Sequence, residues 1–458
     1  MNNMKCDIII GEADHAALMA HLFPGDGDEH GAILHAGIVR EGNRINLLVR
    51  EIFPAQLGTD YVASKFGYRA LHPSFIHKHI TTCRDKGLAY LAVHNHDCDD
   101  RVEFSRVDMA SHERGYPALL DIGNGVPVGA LVLGRNSMQA DIWTSDGNRR
   151  SLREARVIGS TLTRIYPTPP FQPARIQSES HDRQIRMFGN AGQAQLAQAK
   201  VAVVGLGGIG SLVCEYLARL GVGEILVIDS DRLETTNLSR VVGATSEDAV
   251  LRQAKVDIAQ RHAAEASDTR VVCLSADVAL ESTAQRLRSC DFLFLAADSM
   301  RARLVFNALV HQYLIPGVQL GAKVRAAADG ELLDVMSAIR AVRPSEGCLW
   351  CNQLIDPHQL ALEAKSDQER RAQAYGVEEP NPSVITLNAV SAAHAVNDFL
   401  FYFLGLWSVQ EPLSYRHFHF LDGAMKKVIP RKDGICGECS RGGRYGRGDS
   451  VPLPCIED

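Results

Sequence analysis

The chain has 458 residues, enough for two or three hydrophobic cores, since single domains usually run to about 100–200 residues. Its 48 lysines and arginines against 54 aspartates and glutamates leave a net charge of −6, with neither sign filling a long stretch, so it lacks the electrostatic footprint of a nucleic-acid or anionic-membrane binder. The start MNNMKCDIII has no cationic segment ahead of a long apolar run, and no apolar run reaches membrane-spanning length, so the expectation is a cytoplasmic protein that works on small molecules and other proteins.

In chain order, the strand-like runs GAILHAGIV, INLLVREIF, LAYLAVHN, ALLDIG and VGALVLG alternate with helical text such as that from His72 to Lys86, which predicts a mixed α+β domain over residues 1–155. Residues 156–179 contain YPTPPFQPARIQSE. Such proline-rich polar text holds neither helix nor central strand and predicts a linker. Over 180–458, AKVAVVGLGGIGSLVCEYLARLGVGEILVIDSD reads as apolar strand, glycine turn, amphipathic helix and second apolar strand, one βαβ unit, with further strands at DFLFLAAD and IPGVQLGAKV. The expected fold class is α/β: a mixed N-terminal domain, then a Rossmann-like doubly wound domain with a mostly parallel sheet. The charged stretch from Asn352 to Glu379 lacks apolar periodicity and predicts a mobile excursion.

The strand LAYLAV runs into His94-Asn95-His96, followed by Ser105 and Asp108. Two imidazoles one residue apart on extended chain point the same way, and a carboxylate one turn beyond a serine can close a three-ligand site. Three ligands plus a water is a catalytic zinc arrangement, in which a nearby carboxylate must take the water's proton and pass it to the leaving amine. The bland alternative is a pair of surface histidines and an acid favoured by a helix N-terminus. The HxH, spacer, SxxD pattern resembles the JAMM (JAB/MPN) metalloproteases. That resemblance implies His94, His96 and Asp108 as ligands of a catalytic Zn2+, Ser105 as oxyanion donor and an upstream glutamate, Glu29, as general base, with Asp28 and Glu51 as the fallback candidates. Asp97 stands where that family commonly has proline. His15, His21, His35 and His112 read as ordinary packed or solvated histidines.

Gly205, Gly207, Gly208 and Gly210 follow an apolar strand and open a helix, so their backbone can approach phosphates at the positive helix end, and Asp229 ends the next strand where a carboxylate binds ribose. These features fit NAD as well as ATP. What a dinucleotide oxidoreductase does not need is Asn237 and Arg240 after IDSDRLETT, Lys255, Asp298 at the end of DFLFLAAD, and the upstream RQIRMFG with Arg183. Attack by a carboxylate on the α-phosphate of ATP builds charge that cations and Mg2+ must surround. From about His181 to Ser440 the chain resembles the ThiF/MoeB family and the adenylation domains of ubiquitin-activating enzymes. The resemblance implies ribose binding by Asp229, phosphate contacts from Asn237, Arg240 and Lys255, magnesium assistance by Asp298, and delivery of Arg183 across a homodimer interface.

Of the eleven cysteines, Cys348, Cys351, Cys436 and Cys439 form two CxxC pairs, which reads as a closed, structural zinc site in a reducing compartment. Residues 352–435 contain no cysteine, where relatives carry the thiol that takes the acyl group. Cys214, Cys273 and Cys290 read as packed thiols, leaving Cys455 in the tail VPLPCIED as the one whose context suggests exposure. Together these readings imply an enzyme that trims or deconjugates a ubiquitin-like protein and adenylates its C-terminal carboxylate, with a ubiquitin-conjugating-type enzyme as a further partner. The alternatives are sulfur-carrier activation for cofactor or natural-product synthesis, with the N-terminal domain trimming or only recruiting the carrier, and a nicotinamide-dependent dehydrogenase.

Overall fold

The computed structural model describes residues 4–62, 70–170, 179–327, 329–344, 346–364, 382–407 and 415–458. The chain divides into two compact units: Met1–Phe171 with Gln312–Leu314 and Ser440–Pro452, and Gln172–His311 with Ile315–Cys439 and Leu453–Asp458. The contiguous domain expected over 180–458 is therefore discontinuous.

The first unit runs β1 (Met4–Gly11), α1 (Glu12–Leu22), β2 (Gly31–Glu41), β3 (Arg44–Pro54), α2 (Pro73–Lys86), β4 (Ala89–Asn95), α3 (Arg106–Ile122), β5 (Val128–Leu133), β6 (Met138–Trp143), β7 (Arg149–Ile158) and β8 (Leu162–Ile165). Its sheet follows the order β1-β3-β2-β4-β5-β6-β7-β8, and β1 also pairs with β7, so seven strands close into a ring. The mixed α+β content is as expected, but closure of the sheet was not, and it removes the exposed edges that an open sheet would carry. One side-chain face of every ring strand, including Ile8, Leu34, Leu47, Leu91, Leu131, Ile142 and Leu152, joins a single apolar cluster. The opposite face of β4, through Tyr90 and Ala92, packs with Ile80 of α2 and Tyr116 of α3. Alternation along β4 therefore puts His94 on the helix side and Asn95 on the inward side.

ALLDIG, expected as a strand, forms the last turn of α3, because Pro117 is accommodated inside that helix and Gly123 ends it. β8, paired antiparallel with β7, falls within 156–179, so sheet structure continues into the stretch read as linker.

Ser440–Pro452 packs on β2 and β3. Gly448 bridges Ile38, and the Arg40 N–H donates to Asp449 at 3.0 Å. Arg50, 3 % exposed, donates to the carbonyls of Arg441 and Tyr445, while Arg441 donates to the Arg50 carbonyl and pairs with Asp14. Burial and then the nearby Arg447 bring the Arg50 guanidinium down to about 10, so it remains charged at neutral pH. Arg50→Ala leaves the buried Tyr445 carbonyl and the partly buried Arg441 carbonyl without their charged donor and is expected to destabilise the first unit by about 2–4 kcal/mol, read by urea unfolding of the full chain; an unchanged midpoint contradicts this.

The second unit runs α4 (Asp182–Leu196), β9 (Lys200–Val204), α5 (Gly208–Arg219), β10 (Glu224–Ile228), α6 (Ser246–Val250), α7 (Lys255–Ala266), β11 (Arg270–Leu274), α8 (Glu281–Arg286), β12 (Phe292–Leu295), α9 (Met300–Gln312), β13 (Gly317–Ala326), β14 (Leu332–Val342), α10 (Pro357–Glu363), α11 (Ile385–Phe403), β15 (Tyr415–His419) and β16 (Ala424–Val428). Its sheet has the order β11-β10-β9-β12-β13-β14-β15-β16. The first five strands are parallel, and their continuous apolar text, such as FLFL in β12, is buried as such strands require. β13 to β16 extend it as an antiparallel meander that the sequence reading did not anticipate. The chain reverses direction across the sheet between β9 and β12, and ligands of open α/β sheets bind at the carboxyl ends of strands beside such a reversal. Residues 365–379 of the expected excursion lie outside the described residues; α10 occupies part of the remainder.

Candidate functional sites

The glycine turn is shaped at the end of β9. Gly205 has φ +87°, and a Cβ there would sit 2.7 Å from the Ala297 nitrogen, just ahead of Asp298. A Cβ on Gly210 would strike the Gly205 carbonyl, whereas Gly207, the N-cap of α5, has nothing within 4 Å and leaves its backbone open. Asp229, at the end of β10, accepts from the Leu206 N–H at 2.5 Å and the Asp231 N–H at 2.8 Å, tying the turn to the neighbouring strand. Burial raises its carboxyl above the usual range, against the pull of Lys255. Buried Lys255 opens α7 and pairs with Asp231 at 2.7 Å. Arg240 donates to the Thr236 carbonyl at 2.8 Å and flanks Gly208, whose added Cβ would lie 3.3 Å from Arg240 Cβ and collide with the Asn388 amide of α11. Asn237, buried, accepts the Glu234 N–H at 3.2 Å through its own side chain. Asp298 is exposed beyond β12. The structure thus gathers Gly205, Gly208, Asp229, Arg240, Lys255 and the Asp298 stem at the ends of adjacent strands. Arg183 is exposed on α4, outside this group.

The four thiols of the CxxC pairs meet. Cys348 Sγ is 3.5 Å from Cys351 and 3.8 Å from Cys436, and Cys351 is 3.6 Å from Cys439. A tetrahedron with Zn–S bonds of ~2.3 Å has edges of ~3.8 Å, so the donor set fits zinc. Backbone N–H groups of Cys351 and Glu438 point at Cys348 and Cys436 Sγ, and fully buried Asn307 of α9 accepts from the Leu349 N–H at 2.9 Å to hold the first knuckle. Hydrogen bonding, first from Cys439, pulls the Cys348 thiol below the ordinary range.

In the first unit, His94 Nε2 lies 3.3 Å from His96 Nε2, and Asp108 is 3.6 Å from His94 and 3.5 Å from His96. The three donor atoms lie within 4.8 Å of one another, close enough for one ion. Ser105 is the N-cap of α3: its Oγ accepts the Asp108 N–H at 3.1 Å, and Asp108 accepts the Ser105 N–H at 2.7 Å. Burial pushes the Asp108 carboxyl up, but hydrogen bonds from His94, His96 and Ser105 outweigh it and hold the group far below the carboxylate range. Glu29 is 3.9 Å from His96, whereas Glu51 faces His35 at 3.4 Å in a separate cluster and the Asp28 N–H caps Asp26. The loop at Asp97 is held by Arg135 at 3.0 Å in place of proline stiffness. Beside the cluster opens a cleft of about 270 Å³ lined by Glu29, His94 and Asp108 at one side and by Tyr116, Leu119 and His112 at the other.

The model of the ThiF family matches residues 181–432, more than half of the chain. The chain belongs to the ThiF family. Among curated relatives it is 32 % identical over 121 residues to the sulfur carrier protein ThiS adenylyltransferase of Bacillus subtilis, covering 26 % of this chain and 36 % of that protein. It is 35 % identical over 120 residues to the sulfur carrier protein adenylyltransferase of Thermus thermophilus, covering 26 % and 44 %, and 32 % identical over 137 residues to the tRNA threonylcarbamoyladenosine dehydratase of Escherichia coli, covering 30 % and 51 %. The chain thus spans about a third to a half of the length of these relatives.

The ThiF-family match begins at residue 181 and leaves the His94 cluster outside it. Of two buried polar residues there, one was not singled out from the sequence. His112, read as ordinary, donates or accepts at 2.7 Å with Asp141, which Arg149 also grips. Asn95, 4 % exposed, bonds His30; its placement between two candidate ligands was the available signal. No helix among the described residues is long and apolar enough to cross a membrane. For the ThiF-type unit, Cys348→Ser is expected to remove one zinc equivalent and lower that unit's melting temperature, because structural zinc contributes ~10 kcal/mol or more of binding energy to folding. Metal analysis and calorimetry read both; unchanged zinc content contradicts the site.

Proposed function

We propose that this ThiF-family chain adenylates the C-terminal carboxylate of a small sulfur-carrier protein, and that its first unit trims the same carrier with a zinc-activated water. The convergence of the glycine turn, Asp229, Arg240 and Asp298 at the sheet's reversal point carries the first part. The names of the two relatives that act on sulfur carriers favour this over ubiquitin-like conjugation with a conjugating-type partner.

The turn's fit to ATP rests on its open Gly207 and the α5 N-terminus, which present backbone N–H groups to phosphates. Asp229 would hold the ribose hydroxyls, and Arg240, Lys255 and Asn237 the phosphate oxygens. Mg2+, when bound, neutralises the pyrophosphate leaving group, and Asp298 would orient it. The carrier carboxylate attacks the α-phosphorus, forming the acyl adenylate as the bond to pyrophosphate breaks. Lys255 exchanges its Asp231 partner for phosphate in this scheme. Arg183, exposed on α4, would serve the site of a second copy in a homodimer. Burial pushes Cys214 up to about 12 and Cys273 up to about 11, and Cys455 adjoins Ile456, whose backbone is paired to Ala279 and Glu281. In this scheme the adenylate would pass to an external nucleophile, such as a sulfide donor.

In the first unit, His94, His96 and Asp108 would hold zinc, which supplies a water acidified toward neutral pH. Glu29 takes the water's proton and returns it to the leaving amine, and the Ser105 hydroxyl donates to the oxyanion. Incubation with ATP and a carrier bearing a short C-terminal extension tests both halves by intact mass. The expected result is loss of the extension, then gain of AMP; a carrier unchanged in both respects rules the reading out.

A further inference from the structure

Asn95 lies between the two candidate histidine ligands, yet its side chain shares the parity of Leu91 and Val93, which join the inward apolar cluster. A buried primary amide destabilises the fold unless its acceptor and donors are used. Asn95 uses them on one short piece of chain. Its Oδ1 accepts the His30 N–H at 2.6 Å, and its Nδ2 donates to the Asp28 carbonyl at 3.4 Å, one bond on each side of Glu29. The need of the His30 N–H for an acceptor and of the Asp28 carbonyl for a donor fixes which way the amide faces. Strand pairing cannot do this job: the β2–β4 register ends with Gly31 opposite His94, so Asp28, Glu29 and His30 run beyond the ladder. Tyr61 anchors Gly31 at 2.8 Å, and Asp26 accepts the Asp28 N–H and bonds the His30 ring from within the same loop, so Asn95 is what ties Asp28 and His30 to β4.

We propose that Asn95 is a positioning residue that clamps the Asp28–His30 segment so that the Glu29 carboxylate faces the His94, His96 and Asp108 cluster. The Glu29 side chain is 42 % exposed and 3.9 Å from His96, so its aim depends on its backbone rather than on packing around the carboxylate. Proton transfer requires donor and acceptor within hydrogen-bond reach, and a base allowed to swing away loses rate without losing the metal. The proposal rests on the reading of Glu29 as general base, but the clamp itself is testable apart from it.

The test compares Asn95→Ala with Asn95→Asp in the full chain; aspartate keeps the Oδ1 acceptor for His30 and gives up the donor to Asp28. Amide exchange across residues 26–31 is followed in zinc-loaded and chelator-treated protein, with zinc content and carrier-trimming kinetics measured alongside. Asn95→Ala should speed exchange of the His30 amide by about tenfold or more in both metal states, as expected for loss of a buried hydrogen bond of roughly 1.4 kcal/mol. It should retain zinc and lower kcat at unchanged KM, and Asn95→Asp should restore His30 protection and part of kcat. Wild-type protection of His30 in Asn95→Ala overturns the clamp. A fall in kcat that tracks zinc loss, or no fall at all, overturns its role in aiming Glu29. Absence of trimming by the wild-type protein with zinc bound would instead reject the peptidase reading, and the exchange result would still decide the clamp.

Discussion

Asp298→Ala is expected to lower carrier-dependent exchange of pyrophosphate into ATP by about 10²–10³-fold, the loss seen when one preorganised electrostatic group is taken from a transition state. The reason is placement. The Asp298 stem begins at Ala297, whose nitrogen abuts the Gly205 turn, so it lies beside the carboxyl ends of β9 and β12, where the proposed site would hold the phosphates of ATP. Because Asp298 is exposed, its removal opens no cavity and should leave folding intact. Unchanged melting with lost exchange fits this role, and undiminished exchange would exclude it.

Asp108→Ala is expected to remove one zinc equivalent and depress trimming by more than about 100-fold, since losing a ligand should exceed the effect of losing a residue that merely orients one. Exchange of pyrophosphate should persist. Asp108 also caps α3 through the Ser105 N–H, so the alanine variant loses about 1 kcal/mol of helix stabilisation regardless of any metal. Asp108→Asn separates the two roles: the amide oxygen can still accept the Ser105 N–H but is a poor partner for a cation. If Asp108→Asn binds zinc and trims as the wild type does, Asp108 is only a cap.

The local chemistry was legible in the sequence where it depends on short spacings. The period of a strand placed His94 and His96 on one side, one helical turn linked Ser105 to Asp108, and two CxxC spacings brought four thiols together. The glycine turn and Asp229 were legible because a βαβ unit is local. What failed depends on partners distant in sequence. Closure of the first sheet requires β1 to pair with β7, about 145 residues away, and no local pattern encodes that pairing. ALLDIG is apolar enough for a strand, but continuity with the helix capped at Ser105 decided its state. The return of Ser440–Pro452 to the first unit depends on buried Arg50, an arginine inside an otherwise strand-like run. Lys255, expected free for phosphate, rests on Asp231, a pairing visible only once β10 and α7 are brought together. Asn95 carried no local signal of what it holds, because its partners, His30 and Asp28, lie 65 and 67 residues away in the chain.

Activation of a protein's C-terminal carboxylate by ATP is read by pyrophosphate exchange with the purified chain, Mg2+ and a candidate sulfur-carrier protein supplied either with a free C-terminal carboxylate or as its C-terminal amide. Exchange is expected with the carboxylate form alone, lowered about 10²–10³-fold by Asp298→Ala and untouched by His94→Ala. Exchange that proceeds equally with the amide, or without any carrier, would contradict it.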